Sequence, residues 1–163
     1  MNIRPAVSAD GTRISDIARK SYESSYSLAP GTIDGILEEQ FSKAALTDRI
    51  EASANLLFVA EADDGAGVDI QGFVDATAES EVTIGWLHVH PEARGQGIGT
   101  ALVERIQEAR GDRPLAARVL SSAVEGGEFF EQFGLRRSGS AHSTIGGEEH
   151  SVVLFTEPVR GEK

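Results

Sequence analysis

The chain has 163 residues, 40% of them hydrophobic, and a formal net charge of −11. That length suits one domain with a sizeable core. The acidic balance disfavours non-specific binding to nucleic acid or to an anionic membrane, and the lack of cysteine excludes disulfides, thiolate metal sites and an acyl-cysteine intermediate.

Residues 3–7 read as a first strand, and Asp10 is placed to cap a helix reaching about Tyr22, with Ile14, Ile17 and Ala18 on one face. The polar stretch from Ser21 to Pro30-Gly31 predicts a loop. Thr32 and Ser42 are placed to cap two more helices, the first carrying Ile33, Ile36 and Leu37, the second ending near Ala52. Residues 56–61 and 70–76 predict strands joined by a hairpin at Asp63-Asp64-Gly65-Ala66-Gly67. A strand over 82–89 stops at Pro91, and an amphipathic helix over 101–110 ends at Gly111. Then come a strand at 115–120, a helix at 123–133 stopped by Gly134, two strands at 136–145 and 150–155 around Gly146-Gly147, and a loose tail over 157–163. No repeat, low-complexity run or linker divides residues 1–163. This order implies an α/β or α+β sheet with helices on both faces.

The stretch Arg94-Gly95-Gln96-Gly97-Ile98-Gly99-Thr100 joins the 82–89 strand to a helix. Alternate glycines let the backbone curl and bring several N–H groups to one point. A helix start adds unpaired donors and partial positive charge. Such a loop is a cradle for phosphate or pyrophosphate. A Rossmann site needs glycine where Thr100 stands and an acid after the next strand, which ends instead in Ser121-Ser122. A P-loop needs a lysine before the Ser/Thr, and none is present. His88 and His90 lie two apart on one strand, but nothing fixes a metal geometry with Glu148 or His150, and no metal is expected.

Read from Arg94, the loop resembles the R/Q-x-x-G-x-G/A motif of the GCN5-related N-acetyltransferases (GNAT). Leu87-His88-Val89-His90-Pro91 is similar to that family's L-x-V-x-P strand end, Phe129 to Leu135 to its F-Y-E-K-L-G-F segment, and Ile3-Arg4-Pro5-Ala6 to a common opening. The resemblance implies a central, mostly antiparallel sheet of about seven strands, splayed at the cofactor site. It implies acetyl-CoA as donor, its pyrophosphate on Arg94, Gly95, Gln96, Gly97, Ile98, Gly99 and Thr100, and its pantetheine arm against the backbone of Leu87, His88 and Val89. It implies direct transfer of acetyl to an amine acceptor, whether a small molecule or a peptide or protein, with Tyr22 and Tyr26 on the acceptor side; a homodimer is compatible with it.

The family's usual thiolate-protonating tyrosine is Phe130 here, and the asparagine often found seven residues earlier is Ala123. Ser121 or Ser122 offers a substitute hydroxyl or a helix cap. A CoA-binding regulatory module without chemistry is therefore the competing reading. For the base, Thr83 fills the family's commonest position and cannot serve; Glu81, one strand repeat earlier, and His88, if a bulge turns it, are the candidates. The 15 basic residues include only Lys20, Lys43 and Lys163 as lysines, a composition expected of a halophilic protein and shared by acidic mesophilic ones. Met1 to Ser8 lacks the apolar run of a signal peptide and no stretch approaches about 18 apolar residues, so a cytoplasmic location is expected.

Overall fold

Seven extended segments pair into one sheet in the computed structural model, which describes residues 1–123 and 127–158. The strands are β1 (Asn2–Pro5), β2 (Asn55–Asp63), β3 (Val68–Ala78), β4 (Val82–Val89), β5 (Leu115–Leu120), β6 (Arg136–Ile145) and β7 (Glu148–Thr156). Their spatial order is β1-β2-β3-β4-β5-β7-β6. Every neighbouring pair is antiparallel except β4 and β5. The mixed, mostly antiparallel sheet expected from the sequence is therefore present.

Helices α1 (Gly11–Ser25), α2 (Pro30–Phe41) and α3 (Lys43–Glu51) bury Ile14, Ile17, Ile36, Phe41 and Leu46 against Val59 and Phe73 on one face of the sheet. On the other face α4 (Ile98–Arg110) buries Ile98, Leu102, Val103 and Ile106 against Val74, Ile84 and Leu115, together with the single turn α5 (Glu128–Glu131). Two cores thus flank one sheet.

Several boundaries differ from expectation. The helix expected to end near Tyr22 continues to Ser25, because Tyr22 is fully buried and tertiary packing outweighs the polar run around it. Pro30 opens α2 at its first turn instead of closing a loop, since its missing N–H would be unpaired there anyway; Thr32 is not the cap. Ser42 does cap α3, accepting from the Ala45 amide at 3.2 Å. Of the helix expected over 123–133, only α5 lies in the described residues, and 124–126 fall outside them. The tail was expected to loosen from Glu157, but that residue is anchored: its carboxylate accepts from the Leu115 amide at 2.7 Å and pairs with Arg110. Residues 159–163 lie outside the described residues.

Candidate active site

Two hollows meet at one irregularity in β4. Pairing with β3 is regular from Val82↔Ala78 to Ile84↔Ala76, then shifts so that Trp86 faces Asp75, leaving Gly85 as a bulge. The bulge reverses the side-chain alternation. Ile84 belongs to the α4 core, as do Leu87 and Val89 beyond the bulge, whereas Trp86 and His88 turn toward α1–α3. Pairing with β5 stops at the same place: the last partners are Ile84↔Ala117. Beyond them the strands part, and residues 85–89 present a strand edge unpaired with β5.

That edge forms one wall of a cleft of about 580 Å³, with Arg118 to Leu120 opposite and the Arg94–Thr100 loop at its end. Gly95 and Gly97 have φ of +81° and +79°, which side chains with a Cβ rarely adopt, while Gly99 does not. The close seat of α4 on the sheet comes from Gly72 in β3, where a Cβ would stand 2.9 Å from the Ile98 side chain. Among the described residues, none of the amides from Gly95 to Thr100 donates a hydrogen bond within the protein. Arg94 donates to Ser24 Oγ at 3.0 Å and pairs with no carboxylate among the described residues. Open amides at a helix start beside an uncompensated guanidinium form an anion cradle.

A family model described as an acetyltransferase (GNAT) domain matches residues 53–136, which span β2 to the start of β6. The chain belongs to the GNAT acetyltransferases. Its fold is shared by a GCN5-related N-acetyltransferase from Rhodopseudomonas palustris (22% identity, 97% of this chain and 95% of that one, TM-score 0.76). It is also that of the PaiA N-acetyltransferase from Thermoplasma acidophilum in complex with coenzyme A (21% identity, 93% and 96%, TM-score 0.76). The ribosomal-protein-S18-alanine N-acetyltransferase from Escherichia coli is similar as well (16%, 99% and 96%, TM-score 0.68). No curated protein matches the chain in sequence.

The second hollow of this GNAT protein, of about 280 Å³, lies on the α1–α3 face and shares Gly85, Trp86, Arg118 and Leu120 with the first. Asp75 is the one carboxylate lining either hollow among the described residues. Asn55 donates to its Oδ1 at 2.6 Å, and Arg49 Nε lies 3.4 Å from its Oδ2. Burial pushes the Asp75 carboxyl above the usual range, opposed by Arg49 and Asn55.

The expected catalytic residues do not join this assembly. Glu81 is exposed ahead of β4, accepts from Thr83 Oγ1 at 3.3 Å, and lines neither hollow. The bulge at Gly85 does not turn His88 toward the cleft but into the α1–α3 core, 1% exposed, among Tyr22, Phe41, Phe73 and Trp86. Its Nδ1 pairs with Ser21 Oγ at 2.9 Å, its Nε2 has no partner among the described residues, and burial pulls its pKa down to about 3. A ring so hard to protonate is a weak base. His90 instead caps its own turn, Nδ1 accepting from the Glu92 amide. Among the described residues no group of acidic, histidine or cysteine side chains is arranged to hold a metal ion, and no helix is long and apolar enough to cross a membrane.

The two tyrosines separate. Tyr22 is a core residue lining neither hollow, whereas Tyr26 lines the cleft. A backbone bridge from Tyr26 to Ala123 and a bond from the Ser27 amide to the Ser122 carbonyl hold it in the cleft that Phe130 also lines. Burial raises its hydroxyl to about 12. Neither serine caps α5, whose N-cap position is Gly127; Ser121 pairs with Ser151, and Ser122 Oγ is buried with no partner among the described residues. Sequence reasoning missed Asp75. Its signal was a lone acid inside the apolar run Ile70 to Ala76.

Proposed function

We propose that the protein transfers acetyl from acetyl-CoA to a primary amine by direct attack while donor and acceptor are bound together. The observation that carries this reading is the continuity of the free β4 edge at 85–89 with the open amides of Gly95 to Thr100. A peptide-like arm ending in pyrophosphate needs that sequence of partners: strand-edge pairing first, then a helix-start anion cradle. The fit extends to charge, because Arg94 adds a cation in a chain of net charge −11.

Acetyl-CoA, when bound, supplies a thioester carbonyl open to attack. The protein's own groups do the rest. Leu87, His88 and Val89 offer backbone partners to the pantetheine arm, while Arg94 and the amides of Gly95, Gln96, Gly97, Ile98, Gly99 and Thr100 hold the pyrophosphate. Asp75 accepts the proton the amine loses, directly or through water, as the amine nitrogen forms its bond to the acyl carbon and the carbon–sulfur bond breaks. Its raised pKa strengthens it as a base. Tyr26 provides the cleft hydroxyl that returns a proton to the thiolate in place of the one Phe130 lacks. This reading assigns no proton transfer to Glu81, which lines neither hollow, or to the buried ring of His88.

Phe130 also favours a second reading, a CoA-binding module without turnover. Thiol release separates the two. The enzyme releases CoA thiol from acetyl-CoA only when an amine acceptor is added, with one acetylated product per thiol. A protein that binds CoA yet releases no thiol with any amine from a panel of amino acids, polyamines, peptides and aminoglycosides is the module.

A further inference from the structure

The hollow on the α1–α3 face has a chemistry of its own. Its charged lining is Arg49, Arg118 and Asp75, two cations against one anion inside a protein of net charge −11. The Arg49 guanidinium is incompletely satisfied. Nη1 donates to Gln40 Oε1 at 3.2 Å and Nε is ion-paired with Asp75 at 3.4 Å without hydrogen-bond geometry, while Nη2 is buried with no hydrogen-bond partner among the described residues. Buried donors left unpaired are costly, and a planar guanidinium fork matches a carboxylate. Arg118 is exposed at the rim and makes no ion pair with any described residue. Its strand has already parted from β4 there, so it faces the junction of the two hollows.

We infer that the acceptor is a small zwitterion of amino-acid size, whose carboxylate is held by Arg49 and Arg118 and whose amino group faces Asp75. This rests on the acetyl-transfer reading of the same cleft and names the substrate class it takes. An amino acid carries its cation and anion one carbon apart. Asp75 and Arg49, 3.4 Å apart, present the complementary pair. Size agrees, since about 280 Å³ admits an amino acid and little more. Charge agrees as well: two guanidinium groups repel a polycation such as a polyamine or an aminoglycoside. Trp86, whose Nε1 donates to Gln40 Oε1 at 3.3 Å, is held as a wall between acceptor and donor sites.

The test uses the full-length protein and a calorimeter. CoA is titrated first; the CoA-saturated protein is then titrated with each of the twenty common amino acids and its carboxamide, so that no transfer occurs. At least one free acid binds about tenfold or more tightly than its amide, a gap of about 1.4 kcal/mol. Arg118→Gln removes that gap, and Arg49→Lys, which keeps the charge but loses the fork, narrows it. The ratio of acid to amide affinity reads carboxylate recognition and is not moved by a general loss of stability. Failure to bind CoA overturns the donor reading itself. CoA binding with equal or absent affinity for acids and amides, or preference for a polyamine such as spermidine, overturns the zwitterion assignment and leaves the donor reading standing.

Discussion

The two hollows that meet at Gly85 are built by opposite means. The donor cleft relies on backbone: amides freed by two glycines at positive φ, a helix start, and a strand edge left open where β4 and β5 part. The second hollow relies on side chains from α2, α3 and every strand from β2 to β7. A backbone site binds what all users of one donor share, whereas a side-chain site can change partner by substitution. In the proposed reaction the shared part rests on the glycine loop, and selectivity on Asp75, Arg49 and Arg118.

The sharpest break in this contrast is chemical. Asp75→Asn keeps the shape of the hollow and removes the proton acceptor, so kcat falls by about 100- to 10,000-fold while CoA affinity holds. The wild-type rate rises with pH through an apparent pKa above the ordinary carboxylate range, because burial raises Asp75 and only its ionised form accepts a proton. The variant loses that limb. A variant with wild-type turnover and the same pH profile shows that the base lies elsewhere.

Gly97→Val acts on the other hollow. A β-branched residue at φ +79° is strained and brings a Cβ into the open cradle, so calorimetry finds CoA affinity weakened by about 100-fold. Unchanged affinity removes the loop from the donor site. Gly99→Ala, free of that φ though 3.4 Å from Phe129, weakens binding less.

His88 sharpens the boundary between site and core. Its folded pKa, about 3, lies below the unfolded value near 6.5. The neutral ring thus contributes stability that is present above about pH 6.5 and is lost as pH falls toward 3. The slope is roughly 1.4 kcal/mol per pH unit in that window. His88→Phe flattens this acid limb in chemical denaturation, and an identical limb in the variant assigns it to other groups. Smallest is the effect of salt. If the net charge of −11 is a halophilic adaptation, molar potassium chloride raises the melting temperature by a few degrees relative to dilute buffer. A flat response contradicts that expectation.

The same contrast explains what could be read from the sequence. The strands, the glycine loop and the helix after it follow from residues close in the chain, because period, capping and φ preference are local, although that helix, expected from 101, begins at Ile98. The splay of β4 from β5 entered through the family resemblance. The Gly85 bulge was not legible: it reverses strand alternation through pairing with β3, so Glu81 and Thr83 no longer predict which way Trp86 and His88 point. Tyr22 looked like a loop residue from its polar neighbours, yet it packs against Phe41, Trp86 and His88, all far along the chain. Asp75, Arg49 and Arg118 are separated by 26 and 43 positions (75 − 49 and 118 − 75) and meet only in the folded sheet.

The central claim is that one continuous track, the β4 edge and the glycine loop, holds the donor. Amide hydrogen exchange on the wild-type protein, with and without CoA, tests it without any substitution. Protection on adding CoA is predicted to rise together in residues 85–89 and 95–100, while the hairpin at 63–67 is unchanged. CoA binding with no added protection in either segment, or with protection elsewhere, contradicts the account.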